Sequence, residues 1–256
     1  SYVYAAERVS LGYIYSASKS HTEIVEATNG GINVVSPTCF DLTIDGHLEI
    51  NPIMDEFFVE NMHNQGVKVT PFLSNHWGQK RAQAALKNAD ILIQEILEAI
   101  EQYNFDGVNV DLENLKPSDK DSLTEFMRKL REAMPEEKVV SIAVAPNPEN
   151  TWLAAYDYKA LAEHVDYMVV MTYDEHCYGG AAGPVASIEF VEKSIVSILK
   201  DVSKDKIIVG IPMYGRFWEE GASVGGEAII NAQAPRIIKK FKIYFLSLEC
   251  FLRFSL

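Results

Sequence analysis

Residues 105–114 read Phe-Asp-Gly-Val-Asn-Val-Asp-Leu-Glu-Asn, and this stretch decides the fold of the chain. Side chains on a β-strand alternate between its two faces, so the apolar residues of the stretch share one face. The polar residues share the other face, which carries Asn109, Asp111 and Glu113. Two acids and an amide are therefore expected to converge on one surface.

The flanking sequence indicates what that surface faces. Helix-like stretches precede and follow the strand, at residues 90–103 and 119–134, and this βα alternation is typical of a parallel sheet covered on both faces. An isolated amphipathic strand would turn its polar face to water, but strands of such sheets are seldom half solvated. The polar face is therefore predicted to line an interior, where carboxylates are costly unless they are hydrogen-bonded or used in chemistry.

The composition favours one α/β domain of barrel size, with 256 residues of which 48% are hydrophobic and 23% are charged. A net charge of −13 without a basic patch disfavours a nucleic-acid partner. The three cysteines are widely scattered and indicate neither a disulfide framework nor a zinc site. No apolar run is long enough for a membrane span, and residues 1–10 lack the pattern of a secretory signal. Because the chain begins with Ser1, we expect an excised domain.

Short β-branched runs alternate with amphipathic stretches along the chain. Seven strands are predicted at residues 10–15, 32–36, 67–73, 107–113, 139–145, 167–173 and 207–213. Helices are predicted at residues 54–65, 90–103, 119–134, 157–164 and 188–201. Seven such units predict an eight-stranded (β/α)8 TIM barrel within residues 1–240. The apolar tail, residues 241–256, is either the eighth strand, through 242–248, or a non-native end that leaves the barrel incomplete.

Polar and aromatic residues follow the carboxyl ends of five predicted strands. They include Asn75, His76, Trp77, Glu113, Asn114, Asn147, Tyr173, Asp174, His176, Tyr214, Arg216 and Trp218. In a barrel the βα loops meet at this rim and carry the active site. The rim is therefore the predicted functional surface. His76 and His176 lack the spacing of paired metal ligands and are interpreted as hydrogen-bonding residues.

Two motifs resemble the signatures of one enzyme family. Residues 106–113 resemble Asp-Gly-x-Asp-x-Asp-x-Glu, and Met171-Thr172-Tyr173-Asp174 resembles Met-x-Tyr-Asp, the strand-four and strand-six signatures of family 18 glycoside hydrolases. The resemblance covers residues 9–233. Finer features are similar to the bacterial spore cortex-lytic N-acetylglucosaminidase branch: residues 33–38, 108–114, 173–176 and 212–216. Members of that branch often carry LysM wall-binding modules, which would precede Ser1.

The resemblance implies a retaining, substrate-assisted mechanism that cleaves β-1,4 bonds after N-acetylglucosamine in peptidoglycan. It implies that Glu113 is the general acid and base and that the 2-acetamido carbonyl of the substrate is the nucleophile. Asp111 would orient the acetamide N–H, and Tyr173 would donate a hydrogen bond to the acetamide oxygen. The spacing of two residues places the carboxylates of Asp111 and Glu113 roughly 6.5 to 7 Å apart along the strand, within reach of one sugar. Burial and the neighbouring Asp111 are expected to raise the pKa of Glu113.

Other candidate substrate contacts have weaker support. Asn109 departs from the family signature, which has an acid at that position, and we expect Asp111 to stay ionised more readily beside a neutral amide. The remaining candidates are Met171, Asp174, Tyr214, Arg216, Trp77, Asn147 and His176. A Tyr-Gly-Arg turn could equally be packing and a loop salt bridge. Trp77 and Trp218 suit either sugar stacking or core packing.

Alternative functions stay open at this stage. A chitinase acting on chito-oligosaccharides would use the same chemistry, and a lectin-like relative would keep the barrel without catalysis. A metal-dependent barrel ranks last because convergent hard ligands are lacking beyond Asp111 and Glu113. No cofactor or metal is expected, and the partner is an N-acetylglucosamine polysaccharide or oligosaccharide, without nucleic acid or membrane. We expect a monomer located outside the cell, at the cell wall or the spore.

Overall fold

Strands and helices alternate along the chain. The structure, a computed structural model, describes residues 8–15, 21–51, 57–146, 154–219 and 224–241. The strands are β1 (Leu11–Ile14), β2 (Val34–Pro37), β3 (Phe40–Leu42), β4 (Leu48–Ile50), β5 (Lys68–Val69), β6 (Phe72–Ser74), β7 (Gly107–Asp111), β8 (Val139–Val144), β9 (Tyr167–Val170), β10 (Ile207–Val209), β11 (Tyr214–Phe217) and β12 (Glu227–Ile230). The α-helices are α1 (His21–Glu26), α2 (Phe58–Asn64), α3 (Gln79–Lys87), α4 (Ala89–Tyr103), α5 (Lys120–Ala133), α6 (Tyr158–Ala162), α7 (Ile188–Ile198) and α8 (Ala234–Phe241).

The chain divides into two units. The first contains the described residues within 1–144, 150–169 and 202–208, and the second contains those within 145–149, 170–201 and 209–256. The first unit holds strands β1 to β9 except for the last residue of β9, and also most of β10. The second unit holds the β11–β12 hairpin and helices α7 and α8.

Strands of the first unit form two sheets. Strand β2 lies between β1 and β5, and a second sheet follows the order β10-β9-β8-β7-β6-β3-β4. The pairs β1–β2, β2–β5, β3–β6, β6–β7 and β7–β8 are parallel, whereas β4 runs antiparallel to its neighbour β3. Segments β2 and β3 follow one another along one strand of this arrangement, as do β5 and β6. The seven predicted strands are therefore present and are arranged side by side as the βα alternation predicts.

A proline causes the break between β5 and β6. Pro71 has no N–H to donate to a ladder, so strand pairing is interrupted there. The adjacent strand nevertheless follows both segments, because the Asp106 N–H donates to the Val69 carbonyl (2.8 Å) and the Asn109 N–H donates to the Pro71 carbonyl (2.9 Å). The single strand predicted at residues 67–73 is therefore found as two consecutive segments at one position in the sheet, with the hydrogen-bond ladder interrupted at Pro71.

The sheet of the first unit curves around a polar interior. Strand β7 lies three strands away from β1, a separation of about 14 Å in a flat sheet. Even so, the Tyr13 hydroxyl on β1 donates a hydrogen bond of 2.9 Å to Asn109 Oδ1 on β7. The Tyr13 and Phe72 rings also meet edge to face, with centroids 5.4 Å apart. The inward faces of distant strands therefore meet, as they do inside a barrel.

Helices α4 and α5 precede and follow β7 along the chain, contact each other, and confirm two predictions closely. The buried face of α4 consists of Leu92, Ile93, Ile96, Ala99 and Ile100. Asn104 ends α4 in the left-handed conformation, at φ 55°, which is a common way for a helix to end. Gly107 then begins β7 against Val139, where a Cβ atom would collide with the Val139 backbone. This contact explains the glycine of the motif.

Several element predictions were wrong in extent or were missed. The predicted strand 207–213 ends at Val209, and residues 214–217 instead pair antiparallel with 227–230. Helix α3 was not predicted, because its buried face includes only two alanines and Leu86 and so gives a weak apolar signal. The predicted helix 188–201 ends at Ile198. The candidate eighth strand at 242–248 and the start of the predicted helix 54–65 lie outside the described residues.

None of the described helices combines the length and the apolar character that a bilayer span requires.

Candidate active site

Strand β7 brings Asn109 and Asp111 into the interior of the first unit. Asn109 is fully buried and Asp111 is 9% exposed, while Glu113, two residues further along, is half-buried. Strand pairing sets polar neighbours beside them, since Asn109 is opposite Ser141 and Asp111 is opposite Ser74. The polar face of the strand therefore lines an interior, as the sequence predicts.

The Asn109 amide is satisfied on both sides. Its Oδ1 accepts the hydrogen bond from Tyr13, and its Nδ2 donates to Ser141 Oγ at 2.8 Å. A carboxylate at this position could accept from Tyr13 but could not donate to Ser141. The contacts of Asn109 thus suit a neutral amide, although Tyr13 could not be assigned to it from sequence because the two residues lie 96 positions apart.

Replacing Asn109 by Asp is expected to move the acidic limb of the kcat–pH profile to higher pH. A second buried carboxylate next to Asp111 would favour a proton shared by the pair, because like charges disfavour ionisation. Measuring kcat against pH for the wild type and Asn109→Asp tests this. Ser141→Ala is the matched control, since it removes the acceptor of the amide without adding charge. Superimposable profiles for the wild type and Asn109→Asp would contradict the expectation.

Asp111 is a buried carboxyl group with one unsatisfied oxygen. Its Oδ1 has no hydrogen-bond partner among the residues that the structure describes. Burial raises the pKa of Asp111 to about 6, and the nearby His76 opposes this increase. A carboxylate oxygen only accepts hydrogen bonds, so this atom is suited to a donor supplied from outside the protein.

The main chain around Glu113 is held from two sides. Asn75 accepts a hydrogen bond from the Glu113 N–H (2.9 Å) and donates to the Glu113 carbonyl (2.8 Å). The buried Tyr156 hydroxyl donates to the preceding carbonyl, that of Leu112, at 2.8 Å. Burial raises the pKa of Tyr156 above its usual range, and the negative charges of Glu113 and Asp111 add to the increase. Tyr156 therefore lies within the field of both acids and stays a neutral hydrogen-bond donor.

The loop after β6 has unusual backbone geometry. His76 and Trp77 are in the left-handed region, with φ of 46° and 62°, as is Asn114 after β7, with φ of 57°. Such conformations are disfavoured for residues other than glycine and often occur at functional sites. His76 Nε2 is 2.7 Å from Asp41 Oδ1, which confirms the hydrogen-bonding interpretation of this histidine. Trp77 is 60% exposed, and its indole is therefore accessible for stacking.

In the second unit, Asp174 joins two of the predicted rim residues. Its Oδ1 accepts hydrogen bonds from the Tyr214 hydroxyl (2.6 Å) and from Arg216 Nε (2.9 Å). Arg216 also donates through Nη1 to the Gly226 carbonyl at 2.7 Å, which ties β11 to the start of β12. Asp174 has a left-handed backbone, with φ of 60°. Burial raises the pKa of Tyr214 above its usual range, and its bond to Asp174 adds to the increase.

Other predicted residues of the second unit lie close to this cluster in sequence. The Tyr173 ring meets the Tyr214 ring edge to face, with centroids 6.2 Å apart. His176 Nδ1 is 3.0 Å from the Pro184 carbonyl oxygen, which confirms its interpretation as a hydrogen-bonding residue. Trp218 donates through Nε1 to the Gly180 carbonyl (3.0 Å), so this indole takes part in packing of the loop.

Two of the predicted substrate-binding residues remain to be placed. Met171 is half-buried, and Asn147 lies outside the described residues. The roles in catalysis and in substrate binding that the sequence suggests for all these residues stay predictions. Throughout the described part of the chain, no three His, Cys, Asp or Glu side chains cluster as metal ligands would.

Comparison with known proteins places the chain in a family. Residues 41–242 match the family model described as Glycosyl hydrolases family 18. The chain belongs to this family. The two motifs that suggested the resemblance, at residues 106–113 and 171–174, both fall inside the matched region.

Individual relatives include spore cortex-lytic enzymes and chitinases. The cortical fragment-lytic enzyme of Bacillus subtilis is 34% identical over 140 residues, which is 53% of this chain and 32% of that enzyme. The chain thus matches about a third of the length of this curated relative. The structure of the spore cortex-lytic enzyme SleL of Bacillus cereus has a TM-score of 0.78 and 21% identity, over 92% of this chain and 58% of that one. The chitinase of Chromobacterium violaceum gives a TM-score of 0.80 and 21% identity, over 90% of this chain and 75% of that one.

These likenesses confirm the predicted α/β fold of the TIM-barrel type. Closure by an eighth strand stays a prediction, since its candidate residues lie outside the described chain. The sequence could not assign Tyr13 or Tyr156 to the site, because each acts on a strand far away along the chain. Asn75 was among the predicted rim residues, but its contact with Glu113, 38 positions away, was not predicted. For Asn75 one signal was available, namely its position directly after a predicted strand.

Proposed function

We propose that this chain is a glycosidase that cleaves β-1,4 bonds after N-acetylglucosamine in peptidoglycan of the spore cortex type. One observation carries the proposal: a buried carboxylate with an unsatisfied oxygen, Asp111, lies two residues before a half-buried glutamate, Glu113. Membership of family 18 and the likeness to a cortical fragment-lytic enzyme support it. The substrate would place the protein outside the cell, at the cell wall or the spore.

Asp111 is suited to hold the 2-acetamido group of the sugar. Its Oδ1 lacks a donor among the described residues, and an acetamide N–H would supply one. A hydrogen bond to the charged form favours ionisation, so bound substrate would lower the pKa of Asp111 from about 6. The resulting carboxylate stabilises the positive charge that develops on the acetamide during the reaction.

Glu113 supplies the proton that the leaving sugar needs. In the first step the acetamide oxygen attacks the anomeric carbon and forms an oxazolinium ring, while the glycosidic C–O bond breaks and its oxygen takes the proton from Glu113. In the second step Glu113 removes a proton from water, which attacks the anomeric carbon and opens the ring. Two displacements at one carbon retain its configuration. The protein itself supplies no nucleophile.

Tyr173 is proposed to donate a hydrogen bond to the acetamide oxygen. This contact would keep the oxygen close to the anomeric carbon and reduce the entropy lost in reaching the transition state. The Tyr173 ring packs edge to face on Tyr214, whose hydroxyl is engaged by Asp174. Packing of this kind limits the rotamers of Tyr173 and supports a positioning function.

Substrates that lack the acetamide test the mechanism. The chain is expected to release reducing ends from a fully N-acetylated oligomer at least about 10³-fold faster than from the same oligomer with free amines, because the internal nucleophile is then missing. Initial rates measured by a reducing-end assay at equal concentrations of the two oligomers give the ratio. Equal rates would contradict the substrate-assisted mechanism, and binding without any cleavage would favour the lectin-like alternative.

The choice of polymer is tested separately. Cortex peptidoglycan fragments and chitin oligomers both carry the 2-acetamido group, and the mechanism serves either one. A higher kcat/KM on cortex fragments than on chitin oligomers of equal length is expected. The reverse order would make the chain a chitin hydrolase.

A further inference from the structure

Three side-chain amides join the loop after β6 to the loop after β7. We call this group the amide clamp, and it consists of Asn75, Gln79 and Asn114. Asn75 binds both main-chain groups of Glu113, Gln79 Nε2 donates to the Asn114 carbonyl (2.9 Å), and Asn114 Nδ2 donates to the Trp77 carbonyl (3.0 Å). Side chains that follow β6 thus donate to the main chain after β7, and the Asn114 side chain after β7 donates back to Trp77. Sheet pairing between β6 and β7 ends before them, at Ser74 and Asp111.

Asn75 continues the ladder where the backbone no longer can. Beyond Ser74 the chain turns away through the left-handed residues His76 and Trp77, so its peptide groups cannot follow the next strand. The Asn75 amide accepts from the N–H and donates to the carbonyl of the same residue, Glu113, and so replaces the backbone C=O and N–H partners that a neighbouring strand would offer. Asn75 is fully buried, and water does not compete for these bonds.

Only an amide of this size meets the hydrogen-bonding demands of the position. Asn75 Nδ2 also lies 3.2 Å from the Gly78 carbonyl oxygen, so its two N–H groups serve two acceptors. An aspartate would keep the acceptor for the Glu113 N–H, but it would place a negative oxygen against two carbonyl oxygens. An alanine would leave both main-chain groups of Glu113 without this partner in a buried setting.

We infer that Asn75 is a positioning residue that sets the place of the Glu113 carboxyl group by fixing the main chain on both sides of its Cα atom. This inference rests on the proposed function, in which Glu113 protonates the leaving group. A displacement of about 1 Å at a reacting group lowers a rate about 10²-fold, so release of the clamp should impair proton transfer. A loss of protein stability lowers activity on every substrate alike, whereas impaired proton transfer lowers activity only where the leaving group needs a proton. This difference makes the inference testable.

Two substrates separate the positioning function from a merely structural one. The leaving group of an N-acetylglucosamine oligomer is a sugar, whose hydroxyl oxygen needs a proton from Glu113. The leaving group of its 4-nitrophenyl glycoside is 4-nitrophenolate, which departs with little need of a proton. We expect Asn75→Ala to lower kcat/KM about 10²-fold on the oligomer. The fold-loss on the aryl glycoside should be smaller by a factor of at least about ten. Equal losses on both substrates, or no loss, would overturn the inference.

Controls in the same full chain complete the experiment. Asn88→Asp removes an exposed amide donor that binds the Asp45 carbonyl, far from the clamp, and should leave kcat/KM unchanged on both substrates. The isosteric Asn75→Asp serves if Asn75→Ala does not fold, and failure of both variants to fold would assign Asn75 to the fold instead. Glu113→Gln is measured in parallel. If Glu113→Gln shows no selective loss on the oligomer, the proposed acid is wrong, whereas a selective loss in that variant alone refutes only the function of Asn75.

Discussion

Glu113→Gln is expected to lower kcat/KM on an N-acetylglucosamine oligomer by about 10³-fold, the central value for loss of a general acid. Glutamine has nearly the same shape as glutamate, but it has no proton to give to a leaving oxygen at neutral pH. The bonds from Asn75 to Glu113 involve only main-chain atoms, so the substitution leaves them in place. The loss should therefore come from chemistry and not from a displaced loop.

The measurement separates chemistry from binding. The dissociation constant of the oligomer, determined by calorimetry, should change less than about threefold in Glu113→Gln, because an interaction made only in the transition state affects rate and not affinity. Glu136→Gln, which alters an exposed glutamate in the turn after α5, is the matched control and should keep full activity. Full activity of Glu113→Gln would show that another residue protonates the leaving group.

Much of the fold could be predicted because its signals are local. Helix α4 was predicted at 90–103 and is found at Ala89–Tyr103, since its apolar positions repeat with helical spacing. Strand β7 was predicted at 107–113 and ends at Asp111, because the ladder stops where the neighbouring strand turns away. The β11–β12 hairpin could not be predicted, since its pairing depends on contacts such as that of Arg216 with Gly226.

The candidate site could be predicted only in part, for a similar reason. The acids Asp111 and Glu113 follow from alternation along one strand, which a sequence displays directly. The partner of Asn109 on β1 and the amide clamp connect residues 96 and 38 positions apart, and no local pattern encodes such contacts. The sequence thus identifies candidate catalytic groups, whereas the groups that hold them in place emerge only from the packed structure.

Asp111→Asn is expected to stabilise the protein at neutral pH while it impairs catalysis. Asp111 has a pKa of about 6 in the folded chain and about 3.9 when unfolded, so the folded state holds its proton more tightly. Between these two pH values the folded state binds more protons, and the free energy of unfolding therefore falls as pH rises. The stabilising contribution of Asp111 to the free energy of unfolding is fully present below about pH 4 and is lost above about pH 6.

The difference of about two pKa units corresponds to about 3 kcal/mol of free energy of unfolding. The introduced asparagine would have no charge to bury, so the variant should be more stable than the wild type by up to this amount at pH 7 and by little at pH 4. Urea unfolding at both pH values measures the difference. Asp205→Asn, a change at an exposed aspartate, should alter stability at neither pH.

Catalysis should respond in the opposite direction. In the proposed mechanism an ionised Asp111 stabilises the charged oxazolinium, so kcat/KM of the wild type should rise with pH through about 6, the pKa of Asp111 in the free protein. Asp111→Asn should lose about 10²-fold in activity at pH 7 and lose this acidic limb, since its amide does not titrate. A variant that is stabilised but still fully active would show that the buried charge serves no catalytic purpose. A variant that is both less stable and less active would show that Asp111 acts in the fold, because a charge kept for catalysis should weaken the protein that holds it.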